Sequence, residues 1–233
     1  DKWTIKDALT VLDEIDKRIS VIEAIRKLSN DKSVDELHVL HPLIASARWI
    51  FGPEFDSPEY ASNNQLQTTV EKVFNKKIDK SVFNNHKKRP DIVVAGDSTF
   101  SITGTVDFDN SNGITNINKV LIIELKRGGF KLGKTERNQA VGYVEDFMNC
   151  GTLIGSPYIN AFVVGETFSE KIQPISKVSN GSDVEMGKVQ ICLFSQIVDS
   201  SERRLFNLRK RLNDRYENAS GMELFEKQKK LVI

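Results

Sequence analysis

The stretch Val120-Leu121-Ile122-Ile123-Glu124-Leu125-Lys126 constrains this chain more than any other. Four consecutive apolar residues cannot alternate between a dry and a wet face. They describe a strand covered on both sides, at the centre of a sheet. The run then sets two charges two positions apart. Residues i and i+2 of a strand share a face, so Glu124 and Lys126 project together while Leu125 points the other way. Isolated buried charges are costly, so such a strand ends either in a plain salt bridge or in a site that does chemistry.

Periodicity and turn signals place that strand among others. Residues 3–29 predict one amphipathic helix, with Ile5, Ala8, Leu12, Ile15, Ile19 and Ile22 at helical spacing. Such a helix either packs on its own domain or forms a short coiled coil that joins protomers or couples to an upstream region, and so few heptads do not decide. A second helix is expected over about 33–50, stopped by Phe51-Gly52-Pro53, and a third over about 63–76. Runs rich in β-branched and aromatic residues at 92–95, 99–108, 120–125, 159–165 and 189–194 read as strands. Helices return at about 135–149, with Thr135 as N-cap, and at 197–217, whereas 176–188 reads as an exposed loop. The fold class is α/β or α+β: a mixed central sheet flanked by helices. Residues 1–60 form a helical coupling or oligomerisation segment and 61–233 the sheet domain.

The 233 residues carry 33 basic against 32 acidic side chains, a net charge of +1, which by itself points to no polyanionic partner. The average hides a polarised arrangement. Asp7, Asp13, Glu14, Asp16 and Glu23 lie in the first helix, while basic residues gather at 86–89, 126–137 and 203–215. No run of about 18 apolar residues is present, so no membrane partner is expected, and the charged start does not read as a signal peptide. Cys150 and Cys192 are isolated and lack metal-ligand spacing, which fits a reducing, cytoplasmic setting. A start at Asp1 rather than Met suggests part of a longer protein with a regulatory region upstream.

A second carboxylate lies 33 positions before Glu124, in Arg89-Pro90-Asp91-Ile92-Val93-Val94, at the start of an apolar strand. A strand pairing beside the Glu124 strand would bring Asp91 and Glu124 together. Two close carboxylates either share a proton or hold a cation. Mg²⁺ takes one or two carboxylates and completes its shell with water and substrate phosphate, and Mn²⁺ is the alternative ion. The Lys126 ammonium would orient the attacking water or stabilise charge around phosphorus. On the following helix Gln139 and Tyr143 are four apart, one above the other.

Asp91, Glu124-Leu125-Lys126, Gln139 and Tyr143 resemble the PD-(D/E)xK nuclease superfamily, with Pro90-Asp91 and Glu124-x-Lys126 standing literally. Trp49-Ile50-Phe51-Gly52-Pro53-Glu54-Phe55 ahead of that pattern makes the chain most similar to the Shedu anti-phage nuclease family. The resemblance implies a restriction-endonuclease-like core and Mg²⁺-dependent hydrolysis of DNA, as the effector domain of a larger defence protein. It implies Asp91, Glu124 and the Leu125 carbonyl as metal ligands, Lys126 as the catalytic lysine, and Gln139 as a residue that orients the site. It also implies an acid on the helix before the sheet, for which Glu71 is the candidate and Glu54 and Glu59 are rivals.

Contacts to a DNA backbone are expected from Lys87, Lys88 and Arg89 before Asp91, and from Arg127, Lys131, Lys134, Arg137 and Tyr143 around the metal. Arg203, Arg204, Arg209, Lys210, Arg211 and Arg215 on the last helix read as a solvated face. His38 and His41 read as helix surface rather than zinc ligands. One motif competes: Gly128 to Thr135 satisfies the P-loop expression G-x-x-x-x-G-K-[ST] between a strand and a helix. Against it, Lys126-Arg127 separate the strand from the first glycine, and no convincing later strand ends in a magnesium-binding Asp. Three readings stand in order: a DNA nuclease, a catalytically silent nuclease-fold scaffold that binds nucleic acid, and a P-loop nucleotide hydrolase.

Overall fold

Strand β4 (Thr115–Leu125) runs through the middle of the sheet. The computed structural model describes residues 5–31, 39–56, 60–61, 93–94, 100–108, 115–126, 130–150, 156–169 and 172–217. In β4 Ile117 is buried and Lys119 exposed, with the pairing to β3 slipping register between them, and from Val120 to Leu125 every residue is buried. The apolar run thus coincides with the stretch that helices cover on both sides. Strand β3 (Phe100–Phe108) pairs antiparallel on one flank of β4, with Phe100 opposite Glu124. Strand β6 (Tyr158–Gly165) pairs parallel on the other, with Val163 opposite Glu124. Beyond β6 lie β9 (Glu185–Leu193), parallel, and β8 (Ile175–Ser179), antiparallel at the edge. Both β1 (Tyr60–Ala61) and β2 (Val93–Val94) pair antiparallel with β3. A second, two-stranded parallel sheet joins β5 (Lys131–Leu132) to β7 (Thr167–Phe168).

Strand alternation sends two sets of side chains to opposite layers. Val120, Ile122, Ile159, Ala161, Val163, Val189 and Ile191 meet Ala140, Val144 and Phe147 of helix α3 (Lys134–Asn149). Leu121, Ile123, Leu125, Phe162 and Val164 face helices α1 (Ile5–Ser29), α2 (His41–Ser46) and α4 (Phe194–Glu217). Each fully buried aliphatic side chain is worth about 1.5–3 kcal/mol of transfer free energy. Ile15, Ile22 and Ile25 of α1 join this second layer, so much of the helix's apolar stripe is spent inside the chain. Ion pairs fix its direction against α4: Arg26 reaches Asp199 at 3.1 Å and Glu202 at 2.9 Å, and Asp16 reaches Arg209 at 3.0 Å. The end of α1 therefore meets the start of α4, and the two run antiparallel.

Several expectations give way to local chemistry. Instead of one helix over about 33–50, the described part holds the short α2 and a 3₁₀ turn at Arg48–Ile50. Pro42 sits in the first turn of α2, where its missing N–H costs nothing, and Ala47 (φ −108°, ψ 41°) leaves the helical region. The segment 176–188 is a hairpin rather than a loop. Asn180 Oδ1 accepts from the N–H groups of Ser182 (3.0 Å) and Val184 (3.1 Å), closing the turn between β8 and β9, with Asp183 at φ 58°. The N-cap of α3 is Gly133, not Thr135: the Gly133 N–H donates to Glu136 Oε2 at 2.7 Å. His41 is not a surface residue; it is fully buried, and neither ring nitrogen has a partner among the described residues. The expected helix at 63–76 lies outside the described residues.

Candidate active site

Glu124 leaves the end of β4 on the α3 side of the sheet. It is only 7% exposed, because β3, β6 and α3 close around it. One carboxylate oxygen, Oε1, lies 2.7 Å from Lys126 Nζ. The other, Oε2, is buried and has no hydrogen-bond partner among the described residues. An ionised oxygen without a donor in a dry place is unstable unless something cationic or protonated completes it. Lys126 is positioned by the backbone, since its N–H donates to the Val164 carbonyl at 2.8 Å and extends the β4–β6 ladder one residue past the strand. Its ammonium also lies 5.8 Å from the centroid of the Phe130 ring.

Helix α3 supplies the opposite wall. Gln139 Nε2 donates to the Tyr143 hydroxyl, the bond that their i, i+4 spacing allows. The Tyr143 hydroxyl is held above its usual range by burial first and by the charge of Glu124 second, against the opposing Gln139 bond. Tyr143 thus lies within the electrostatic reach of Glu124. The loop into α3 is pinned by Leu132, which is fully buried and whose carbonyl accepts the Ser169 N–H at 2.7 Å. Leu132 fits only because residue 165 is glycine. A Cβ there would stand 2.7 Å from Leu132 Cγ.

Among the residues expected at the site, Glu124, Lys126, Gln139 and Tyr143 come together, and Leu125 points to the other layer with its backbone beside them. Lys131 and Lys134 are exposed on the approach to α3. Arg137 binds Asn138 Oδ1 through Nη2 at 3.0 Å, and it lies two positions from Gln139 and so on the far side of the helix. Asp91, Glu71, Glu59, Lys87, Lys88, Arg89 and Arg127 lie outside the described residues. The strand that follows Asp91 does not pair beside the Glu124 strand, because Val93 and Val94 pair with Ile102 and Ser101 of β3, one strand removed from β4. Glu54 is on the other side of the sheet, where its charge acts on Arg204 of α4. Nor is the basic face of α4 wholly solvated. Arg209 pairs with Asp16, and Arg204 Nη2 donates to the carbonyls of Trp49 (3.2 Å) and Ile50 (2.8 Å) and to Ser201 Oγ (2.9 Å).

The donor set suits a hard cation in one respect: Glu124 presents a buried carboxylate oxygen with no partner among the described residues. Among the described residues no three His, Cys, Asp or Glu side chains converge as a ligand cage. Mg²⁺ does not require one, since it is held by one or two carboxylates with water and phosphate. The P-loop expression fares worse. A phosphate-cradling loop leaves the helix N-terminus open to the ligand, but here Glu136 caps it with its own carboxylate. Lys131 and Leu132 are also taken into β5, within the stretch the cradle would need. Phe130 and the Arg204 clamp were missed in the sequence reading; an aromatic flanked by Arg127 and Lys131 was the available signal for the first. No family model, no curated protein and no solved structure matches this chain. No helix among the described residues is long and apolar enough to cross a membrane.

Proposed function

We propose that this chain is a Mg²⁺-dependent nuclease of the PD-(D/E)xK type, hydrolysing phosphodiester bonds in DNA as the effector part of a Shedu-like defence protein. The observation that carries the reading is the Glu124 carboxylate, with one oxygen on Lys126 and the other buried and unpartnered at the end of a central strand. Ordinary structural ion pairs satisfy both oxygens or leave one in water. When bound, a hard cation would polarise the phosphoryl group as a Lewis acid. Glu124 would hold it with the carboxylate oxygen that Lys126 leaves free. Lys126, fixed by Oε1 and by the ladder bond to Val164, places its ammonium where negative charge develops on the phosphoryl oxygens. Gln139 and Tyr143 act as a bonded pair, and the protonated phenol donates toward the phosphate backbone.

Cleavage of linear and circular DNA by wild type, Lys126→Ala and Lys134→Ala, with and without Mg²⁺, tests the assignment. Removing an electrostatic group of this kind costs roughly 10²–10³-fold in kcat, so Lys126→Ala should be nearly silent, whereas Lys134→Ala, losing one backbone contact, should keep kcat and weaken DNA binding only modestly. Undiminished cleavage by Lys126→Ala would sink the mechanism. Mg²⁺-dependent nucleotide hydrolysis lost in Lys134→Ala would return the P-loop reading, and DNA binding without cleavage by wild type would favour a silent scaffold.

A further inference from the structure

Phe130 is a large aromatic that the fold leaves outside. It is 36% exposed and belongs to neither apolar layer, yet its ring faces the Lys126 ammonium. An exposed phenyl ring forgoes the stabilisation that burial would give, so its position calls for another reason. The chain just beyond the ring is anchored. Two residues on, Leu132 is locked under Ser169 and against Gly165, so the chain leaving Phe130 has little freedom. Lys131 and Lys134 follow it, both exposed.

We infer that Phe130 is a stacking platform for an unpaired base next to the scissile phosphate, so that the segment cut at this site is single-stranded or locally opened DNA. The inference rests on the nuclease reading and specifies its substrate. Charged groups that track a backbone, combined with an aromatic face that accepts any base, are how single strands are held without sequence preference. Lys126 would meet the phosphate, and a ring 5.8 Å from its ammonium lies at the distance where the attached or neighbouring base begins. An intact duplex offers this ring only sugar and phosphate, with no π face to stack on. In the absence of nucleic acid the ring rests against the ammonium. A base arriving at its open face exchanges water for stacking without disturbing Glu124.

The test uses the full chain with Ca²⁺ replacing Mg²⁺, a single-stranded oligonucleotide containing 2-aminopurine, and a blunt duplex of the same sequence. Stacking on one aromatic contributes about 1–3 kcal/mol per base, which converts to about 5- to 150-fold in affinity. Phe130→Ala should lose single-strand affinity by that factor, relieve the quenching of 2-aminopurine and leave duplex affinity within about twofold. Phe130→Trp should restore both binding and quenching. Equal single-strand affinity in wild type and Phe130→Ala overturns the platform, as does an equal loss on single strand and duplex that Trp does not repair. If wild type binds and, with Mg²⁺, cuts DNA while Phe130→Ala changes nothing, only the platform fails. If wild type neither binds nor cuts DNA in either form, the nuclease reading fails with it.

Discussion

Acidification should unfold this protein partly through one residue. His41 is fully buried and neither nitrogen finds a partner among the described residues, and burial alone pulls its pKa from 6.5 to about 4. In the unfolded chain the imidazole returns to its ordinary value, so between these pH values the unfolded state binds more protons than the folded one. Stability therefore rises with pH across this window: the contribution is fully present above pH 6.5 and is lost as pH falls toward 4. A difference of 2.5 pH units at about 1.36 kcal/mol each gives a total loss of about 3 kcal/mol. About 2 kcal/mol of that is gone by roughly pH 5. Replacing both orphaned nitrogens by carbon in His41→Leu removes the term and should be neutral or stabilising at pH 7. Urea unfolding followed by far-UV circular dichroism at pH 7 and pH 5 measures it. Carboxylates titrate in both proteins, so the difference between the two losses isolates His41. Wild type should lose about 2 kcal/mol more than His41→Leu; equal losses would show that the imidazole is hydrated or paired in solution.

Three further outcomes follow from the packing and the site. Gly165→Ala drives a methyl to 2.7 Å from Leu132 Cγ and should cost about 1–3 kcal/mol. A double-mutant cycle with Leu132→Ala should recover part of that cost, and strict additivity would argue against the contact. Arg204→Met leaves the Trp49 and Ile50 carbonyls without their guanidinium donor and should cost about 1.5–3 kcal/mol by thermal unfolding; a Tm unchanged from wild type would show the clamp to be idle. A cation that binds only the folded chain stabilises it by about 1.4 kcal/mol at tenfold its Kd. Mg²⁺ should therefore raise the Tm of wild type and not of Glu124→Gln, and an equal rise in both would place the ion elsewhere.

Where burial pattern and local spacing coincide, the sequence was readable. The apolar runs of β4 and β6 and the amphipathic stripes of α3 and α4 stand where their periodicities put them. The shared face of Glu124 and Lys126 follows from strand geometry alone. Strand β8 escaped because it lies at the sheet edge and buries only Val178, so its composition resembles a loop. The cap of α3 was misplaced because Thr135 is the stronger N-cap by type, although Gly133 and Glu136 already stood at capping-box spacing. The partner of Val93-Val94 was beyond local pattern altogether. Two valines specify a strand, but which strand they join depends on how the intervening chain closes. His41 sits among Leu40, Leu43 and Ile44, and its burial shows only when α1 is laid over α2.

The antiparallel seating of α1 on α4 also sets an order of events. The Arg26–Asp199 and Arg26–Glu202 pairs join positions 173 and 176 residues apart. During synthesis at about 5–20 residues per second, α1 waits roughly 10–35 s for its partner to be made. Through that interval Ile15, Ile22 and Ile25 can meet α2 and the sheet but not Val198, Leu205 and Leu212 of α4. The contacts between α1 and α4 are thus the last of this layer to become possible. A slowdown late in translation, or the loss of α4, would prolong the exposure of a sticky N-terminal helix rather than merely shorten the protein.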